Sequence, residues 1–158
     1  MIKLANFFVS LSFAGYIKII PPGTFASFLS IVILFPIVEY KIISLEIFVI
    51  VFIVIFLLSL FFINKFSSRT QTHDSKIIVI DEFLGIYLIL LFYDQIKIIN
   101  PYITMMLIFV LFRFFDILKI FPANIVDKRL KSAFGVILDD LIAGIYTIII
   151  LYILNAYY

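Results

Sequence analysis

The chain is predicted to be an all-α integral membrane helical bundle, and three observations carry that reading. Of its 158 residues 65% are hydrophobic and only 14% charged, and a mean hydropathy of +1.27 lies far above the range of soluble globular domains. The run from Ile47 to Ile63 is interrupted only by Ser59. With Leu45 and Glu46 it approaches the roughly 20 residues that a helix needs to cross a bilayer. Basic residues, finally, divide very unevenly between the two sides that such crossings create. The whole chain, 1–158, is expected to form one membrane-embedded domain, because its length leaves no room for a separate soluble one.

Residues 1–20 are apolar but broken by Asn6, Ser10, Ser12 and Lys18, which suits an interfacial N-terminal helix better than a span. The start could pass for a short signal sequence, but no small-residue cleavage site follows, so it is expected to be retained. Pro21-Pro22-Gly23-Thr24 reads as a turn opening the first apolar segment, about 24–40. Thr24 is the expected N-cap there, and the helix start offers free N–H groups to an anion. This segment is short and contains Pro36, features of a tilted or re-entrant piece. Four more apolar segments follow at 45–64, 77–93, 101–119 and 133–154, about five in all.

Five crossings from an inner N-terminus put Lys3, Lys18, Lys65, Arg69, Lys76, Arg113, Lys119, Lys128, Arg129 and Lys131 inside, and only Lys41 and Lys97 outside. That ten-to-two division follows the positive-inside rule and argues that the first segment does cross.

The same topology gathers the acids. Asp81-Glu82 lies near the inner end of the third segment, Asp116 near that of the fourth and Asp139-Asp140 near that of the fifth. At 1.5 Å per helical residue, all five lie roughly 5–10 Å below the inner end. An ionised side chain within a membrane helix costs about 2.5–3.5 kcal/mol on insertion scales, and adjacent carboxylates repel unless a cation holds them together. Oxygen-only acidic ligands suit a hard cation such as Mg²⁺. With no cysteine and one histidine, His73, thiolate sites, multi-histidine metal sites and a two-histidine phosphatase mechanism are excluded.

Small residues stand one turn beyond the acids: Gly85 after Asp81, Ala143 after Asp139, Gly144 after Asp140. Helices or a ligand can approach closely there; of the last pair Asp140 is favoured, Gly144 leaving room for a phosphate. Arg113, Asp116 and Lys119 recur at intervals of three on one helix face. Arg113 can grip a phosphate bidentately and Lys119 can add a point charge, although a salt-bridged helix end would also explain the spacing. His73-Asp74 is a candidate supporting pair, or simply a solvated loop.

The ordered blocks Pro22-Gly23-Thr24, His73-Asp74 with Ile78-Val79-Ile80-Asp81-Glu82 and Gly85, Phe112-Arg113-Phe114-Phe115-Asp116-Ile117-Leu118-Lys119 with Pro122 and Asp127, and Gly135 with Asp139-Asp140 and Ala143-Gly144 closely resemble the phosphatidylglycerophosphatase A family. The resemblance covers nearly the whole chain. It implies a Mg²⁺-dependent lipid phosphatase of the bacterial inner membrane, with its active layer facing the cytoplasm. Such an enzyme removes the terminal phosphate of phosphatidylglycerophosphate in phospholipid biosynthesis. Asp81, Glu82, Asp116, Asp139 and Asp140 are the expected catalytic and metal-holding residues. Arg113, Lys119, Gly23 and Thr24 are the expected phosphate-binding groups, and His73, Asp74 and Asp127 the supporting ones. Partners are the phospholipid and the membrane, and no nucleic acid is expected. The alternative is a cation carrier or channel using intramembrane carboxylates; it expects acids through the full depth, whereas the outer ends hold only Glu39, Glu46 and Asp94.

Overall fold

Apolar runs of this length satisfy their backbone in lipid by hydrogen bonding within helices. The computed structural model describes residues 2–17, 19–70, 75–98 and 100–157, and among them no strand occurs. The elements are α1 (Ile2–Val9), a 3-10 turn (Ala14–Tyr16), α2 (Pro22–Glu39), α3 (Leu45–Thr70), α4 (Ile80–Leu91), α5 (Tyr93–Ile96), α6 (Pro101–Leu118), α7 (Ala123–Arg129) and α8 (Ala133–Tyr157). Of these, α2, α3, α6 and α8 are long and apolar enough to cross a membrane.

The third expected crossing, 77–93, takes another form. Its helix starts only at Ile80 and runs 12 residues. The preceding segment is held otherwise, the Val79 N–H donating to the Val9 carbonyl at 2.9 Å. Yet α4 and α5 together reach from one end of the bundle to the other. Beyond the acidic start of α4, Tyr93 donates its hydroxyl to Glu39 at the end of α2 at 2.5 Å. Asn155 near the end of α8 donates to the Gln95 carbonyl at 2.8 Å. Thus α2, α4–α5 and α8 run one way, while α3 and α6 return.

Helix α4 is the axis of the bundle, packed by α2, α3, α6 and α8, with Leu84, Ile86 and Ile89 fully buried. Tyr87 stacks on Phe48 of α3 with ring centroids 4.2 Å apart, and its buried hydroxyl donates to the Phe48 carbonyl at 3.0 Å. The outer helices turn apolar side chains outward instead: Ile50, Ile53, Leu57 and Phe61 of α3 are all exposed. An apolar exterior around a packed axis is the arrangement that lipid solvation favours.

The ends of α2 and α6 follow from their sequences. Pro22 occupies the first turn of α2, where a missing N–H costs nothing. The helix therefore starts before Thr24, and the expected N-cap role of Thr24 is corrected: Pro21 is the cap residue and no side chain caps the end. Pro36 lies in the last turn, so α2 reaches Glu39 unbroken and is long enough to span rather than re-enter. Helix α6 is opened by Asn100, whose Oδ1 accepts from the Tyr102 and Ile103 N–H groups at 2.9 and 3.3 Å, followed by Pro101.

Candidate active site

The acidic pairs come together because the first turn of α4 crosses α8 closely about two turns into that helix. Carboxylate oxygens of Asp81, Glu82 and Asp140 lie within 4.8 Å of one another. The Glu82 N–H donates to Asp81 Oδ1 at 3.1 Å, fixing one member of the trio. Successive helix residues project about 100° apart, and Asp139 accordingly turns to another partner. Its Oδ2 accepts from Lys119 Nζ at 2.8 Å.

Arg113 of α6 stands against this trio. Its Nη1 is 2.5 Å from Asp116 Oδ2 and 3.9 Å from Glu82 Oε1, and it donates to Ser27 Oγ of α2 at 3.4 Å. Three charged side chains, each only 13–14% exposed, thus share one contact region. Lys119, just past the end of α6, has φ 44° and ψ 57°, the left-handed conformation that non-glycine residues rarely adopt. That turn carries its ammonium between Asp139 and Asp127 of α7. Burial alone would lower the Lys119 pKa, but hydrogen bonds to Asp127 and Asp139 hold it above the usual lysine range.

These side chains line a cavity of about 1150 Å³ at the acidic end of the bundle, together with Pro21, Pro22 and Gly23 of the α2 start. Gly23 brings the α2 backbone close to the charged groups: a Cβ on it would displace Glu82 Oε1 and come 3.2 Å from Arg113 Nη1. With no side-chain cap, the first-turn N–H groups of α2 are left to serve an anion. Three polar atoms of the site are buried without a hydrogen-bond partner among the described residues: Glu82 Oε2, Asp139 Oδ1 and Arg113 Nε. Unpaired buried polar groups are costly, and these acceptors and this donor belong to side chains that line the cavity, a mixed set suited to a cation and an anion.

The five carboxylates expected from sequence all line this cavity, but in two roles. Asp81, Glu82 and Asp140 form the cluster able to hold a metal ion, whereas Asp116 and Asp139 are engaged by Arg113 and Lys119. Asp127 joins Lys119, and Thr24 is absent from the lining. His73 and Asp74 lie outside the described residues. The space expected beside Gly144 for a phosphate is taken by helix packing: a Cβ there would stand 3.0 Å from the Gly85 carbonyl oxygen. Sequence reasoning missed Ser27, which is fully buried and donates to the Gly23 carbonyl at 2.8 Å. Its signal was present, one turn after Gly23 on the same face. It also missed Lys76, Lys128 and Lys131 as cavity residues, having counted them only as charge on one side.

The family described as Phosphatidylglycerophosphatase A matches residues 7–155. A phosphatidylglycerophosphatase A of Haemophilus influenzae is 32% identical over 131 residues, covering 83% of this chain and 77% of that protein. One of Escherichia coli is 31% identical over 83 residues, 52% of this chain and 46% of that protein. No solved structure matches the chain significantly.

Proposed function

The chain belongs to the phosphatidylglycerophosphatase A family, and we propose that it hydrolyses the terminal phosphomonoester of phosphatidylglycerophosphate in a reaction that depends on Mg²⁺. The observation that carries this reading is the convergence of Asp81, Glu82 and Asp140 beside Arg113 in one cavity. The donor set fits a hard cation: three carboxylates, with Glu82 Oε2 buried and unpartnered. Asp81, Glu82 and Asp140 would hold the ion. Once bound, it would neutralise charge on the phosphoryl oxygens and polarise phosphorus towards attack.

The chain's own groups do the remaining work. Arg113 binds the phosphoryl oxygens through its guanidinium, which lines the cavity and is held in place by Asp116 and Ser27. The N–H groups at the start of α2 add donors on the same side. Asp139, held by Lys119 through Oδ2, lines the same cavity and is the carboxylate placed to accept the proton of an attacking water. Water oxygen then bonds to phosphorus, the bond to the glycerol oxygen breaks, and that oxygen takes a proton from solvent. The lipid's acyl chains stay beside the apolar exterior of the bundle.

The excess of lysine and arginine at the acidic end supports a cytoplasmic face and a bacterial inner-membrane location. The carrier reading finds no support. The acids gather at one end, and at the other Asp94 is paired with Lys41 and Lys97. The test is phosphate release by the purified protein from phosphatidylglycerophosphate, lysophosphatidic acid and phosphatidic acid, with and without Mg²⁺. The reading expects release from the first lipid, dependent on the ion. No release from any of them in Mg²⁺ would overturn it.

A further inference from the structure

Two kinds of cation line the cavity. Arg113 and Lys119, on its floor, are each bound to carboxylates. Lys76, Lys128 and Lys131 are exposed at its mouth, and among the described residues none has a carboxylate within ion-pair distance. They come from three segments: the approach to α4, the last turn of α7, and the link from α7 to α8. A basic last turn is expected from the helix dipole, and basic residues on this side from the positive-inside rule. Neither explains why the three converge. Arg129, adjacent to Lys128 and in the same last turn, does not line the cavity.

A monoester phosphate needs only the floor, with its carboxylate trio, Arg113 and the start of α2. Three lysines at the rim of the same cavity, without a carboxylate partner among the described residues, are a site for a second anion. We propose that Lys76, Lys128 and Lys131 form a phosphodiester subsite. It holds the inner phosphate of a headgroup with two phosphates while the floor takes the terminal one. The proposal rests on the function proposed above and deepens it, making the rim the source of preference for a two-phosphate lipid over phosphatidic acid. The competing source of anions is the surrounding membrane, whose acidic headgroups would draw any basic rim without regard to substrate.

The test compares wild type with K76Q/K128Q/K131Q, full length, in neutral detergent micelles free of other anionic lipid. KM and kcat are measured for phosphatidylglycerophosphate and for phosphatidic acid with the same acyl chains. Where phosphatidic acid turns over too slowly, its inhibition constant against the first lipid replaces KM. Three exposed ion pairs of ordinary strength combine to roughly tenfold, so KM for the two-phosphate lipid should rise about that much with kcat nearly unchanged. The constant for phosphatidic acid should not move, and K76R/K128R/K131R should restore wild-type KM. Single substitutions carry the same signature in smaller steps if the triple variant fails to fold.

Equal weakening for both lipids would assign the lysines to general attraction and overturn the subsite. So would unchanged KM for the two-phosphate lipid, or a fall in kcat alone. Failure of wild type to release phosphate from either lipid would instead sink the underlying function, a distinct outcome.

Discussion

Gly144 of α8 lies so close to Gly85 of α4 that a Cβ on Gly144 would stand 3.0 Å from the Gly85 carbonyl oxygen. Each glycine sits one turn beyond an acid of the cluster, Asp140 and Asp81 respectively. The close crossing that they permit therefore also sets how nearly those carboxylates approach. Gly85 is confined on a second side, since a Cβ there would meet the Phe112 ring at 2.5 Å, and Phe112 is fully buried.

Gly85→Ala should accordingly lower the unfolding temperature in detergent, by an amount typical of overpacking, about 1–3 kcal/mol. Turnover should fall with it as α4 and α8 part and Asp81 moves from Asp140. An unchanged unfolding temperature together with wild-type rate would show that this crossing does not set the site.

Arg113→Lys keeps the charge but loses the planar fork that contacts Asp116, Glu82 and Ser27 at once. Turnover should drop by roughly 10²-fold, the scale of one lost electrostatic contribution to the transition state. Steady-state rates at saturating lipid decide it, and a loss below about threefold would mean that Arg113 does not stabilise the phosphoryl oxygens.

Lys119→Met should destabilise the protein by leaving Asp139 and Asp127 without their shared cation. Asp127→Asn in that background should recover part of the loss. A double-mutant cycle on unfolding free energy should give a coupling of roughly 0.5–3 kcal/mol. Strict additivity would mean that the two side chains do not depend on each other.

How the bundle sits in the membrane can be read with single cysteines at Ser68, exposed near the acidic end, and Tyr40, exposed at the opposite end. A membrane-impermeant thiol reagent on intact cells should label only the Tyr40→Cys protein. Labelling of Ser68→Cys with Tyr40→Cys protected would invert the orientation.

The acids are legible in the sequence because charge inside an apolar run is costly and therefore informative. Asp81-Glu82 and Asp139-Asp140 need no structure to be singled out. Their division of labour does need one. Asp140 and Asp139 differ by a single residue and about 100° of helix rotation, and which of them meets Asp81 depends on how α8 packs on α4. Gly144 misleads in the sequence, because a small residue beside an acid reads alike whether a ligand or a helix fills the space. The late start of α4 at Ile80 is hidden, since Ile77, Ile78 and Val79 are as apolar as the helix that follows. The three rim lysines are invisible as a group because they lie on three segments, and only folding places them around one cavity.

The central claim is that Asp81, Glu82 and Asp140 together hold the ion on which turnover depends, and a Mg²⁺ titration of chelator-stripped enzyme tests it most directly. Phosphate release from phosphatidylglycerophosphate would be followed for wild type, Asp81→Asn, Asp140→Asn and Asp139→Asn. The stripped wild type should be inactive and recover fully with Mg²⁺. Asp81→Asn and Asp140→Asn should lose roughly 10²-fold in turnover and need much more Mg²⁺ for half-maximal rate. Asp139→Asn, paired with Lys119 outside the cluster, should lose turnover while keeping the wild-type Mg²⁺ requirement. Full wild-type turnover in excess chelator, or an unaltered Mg²⁺ requirement in Asp81→Asn and Asp140→Asn, would contradict the account.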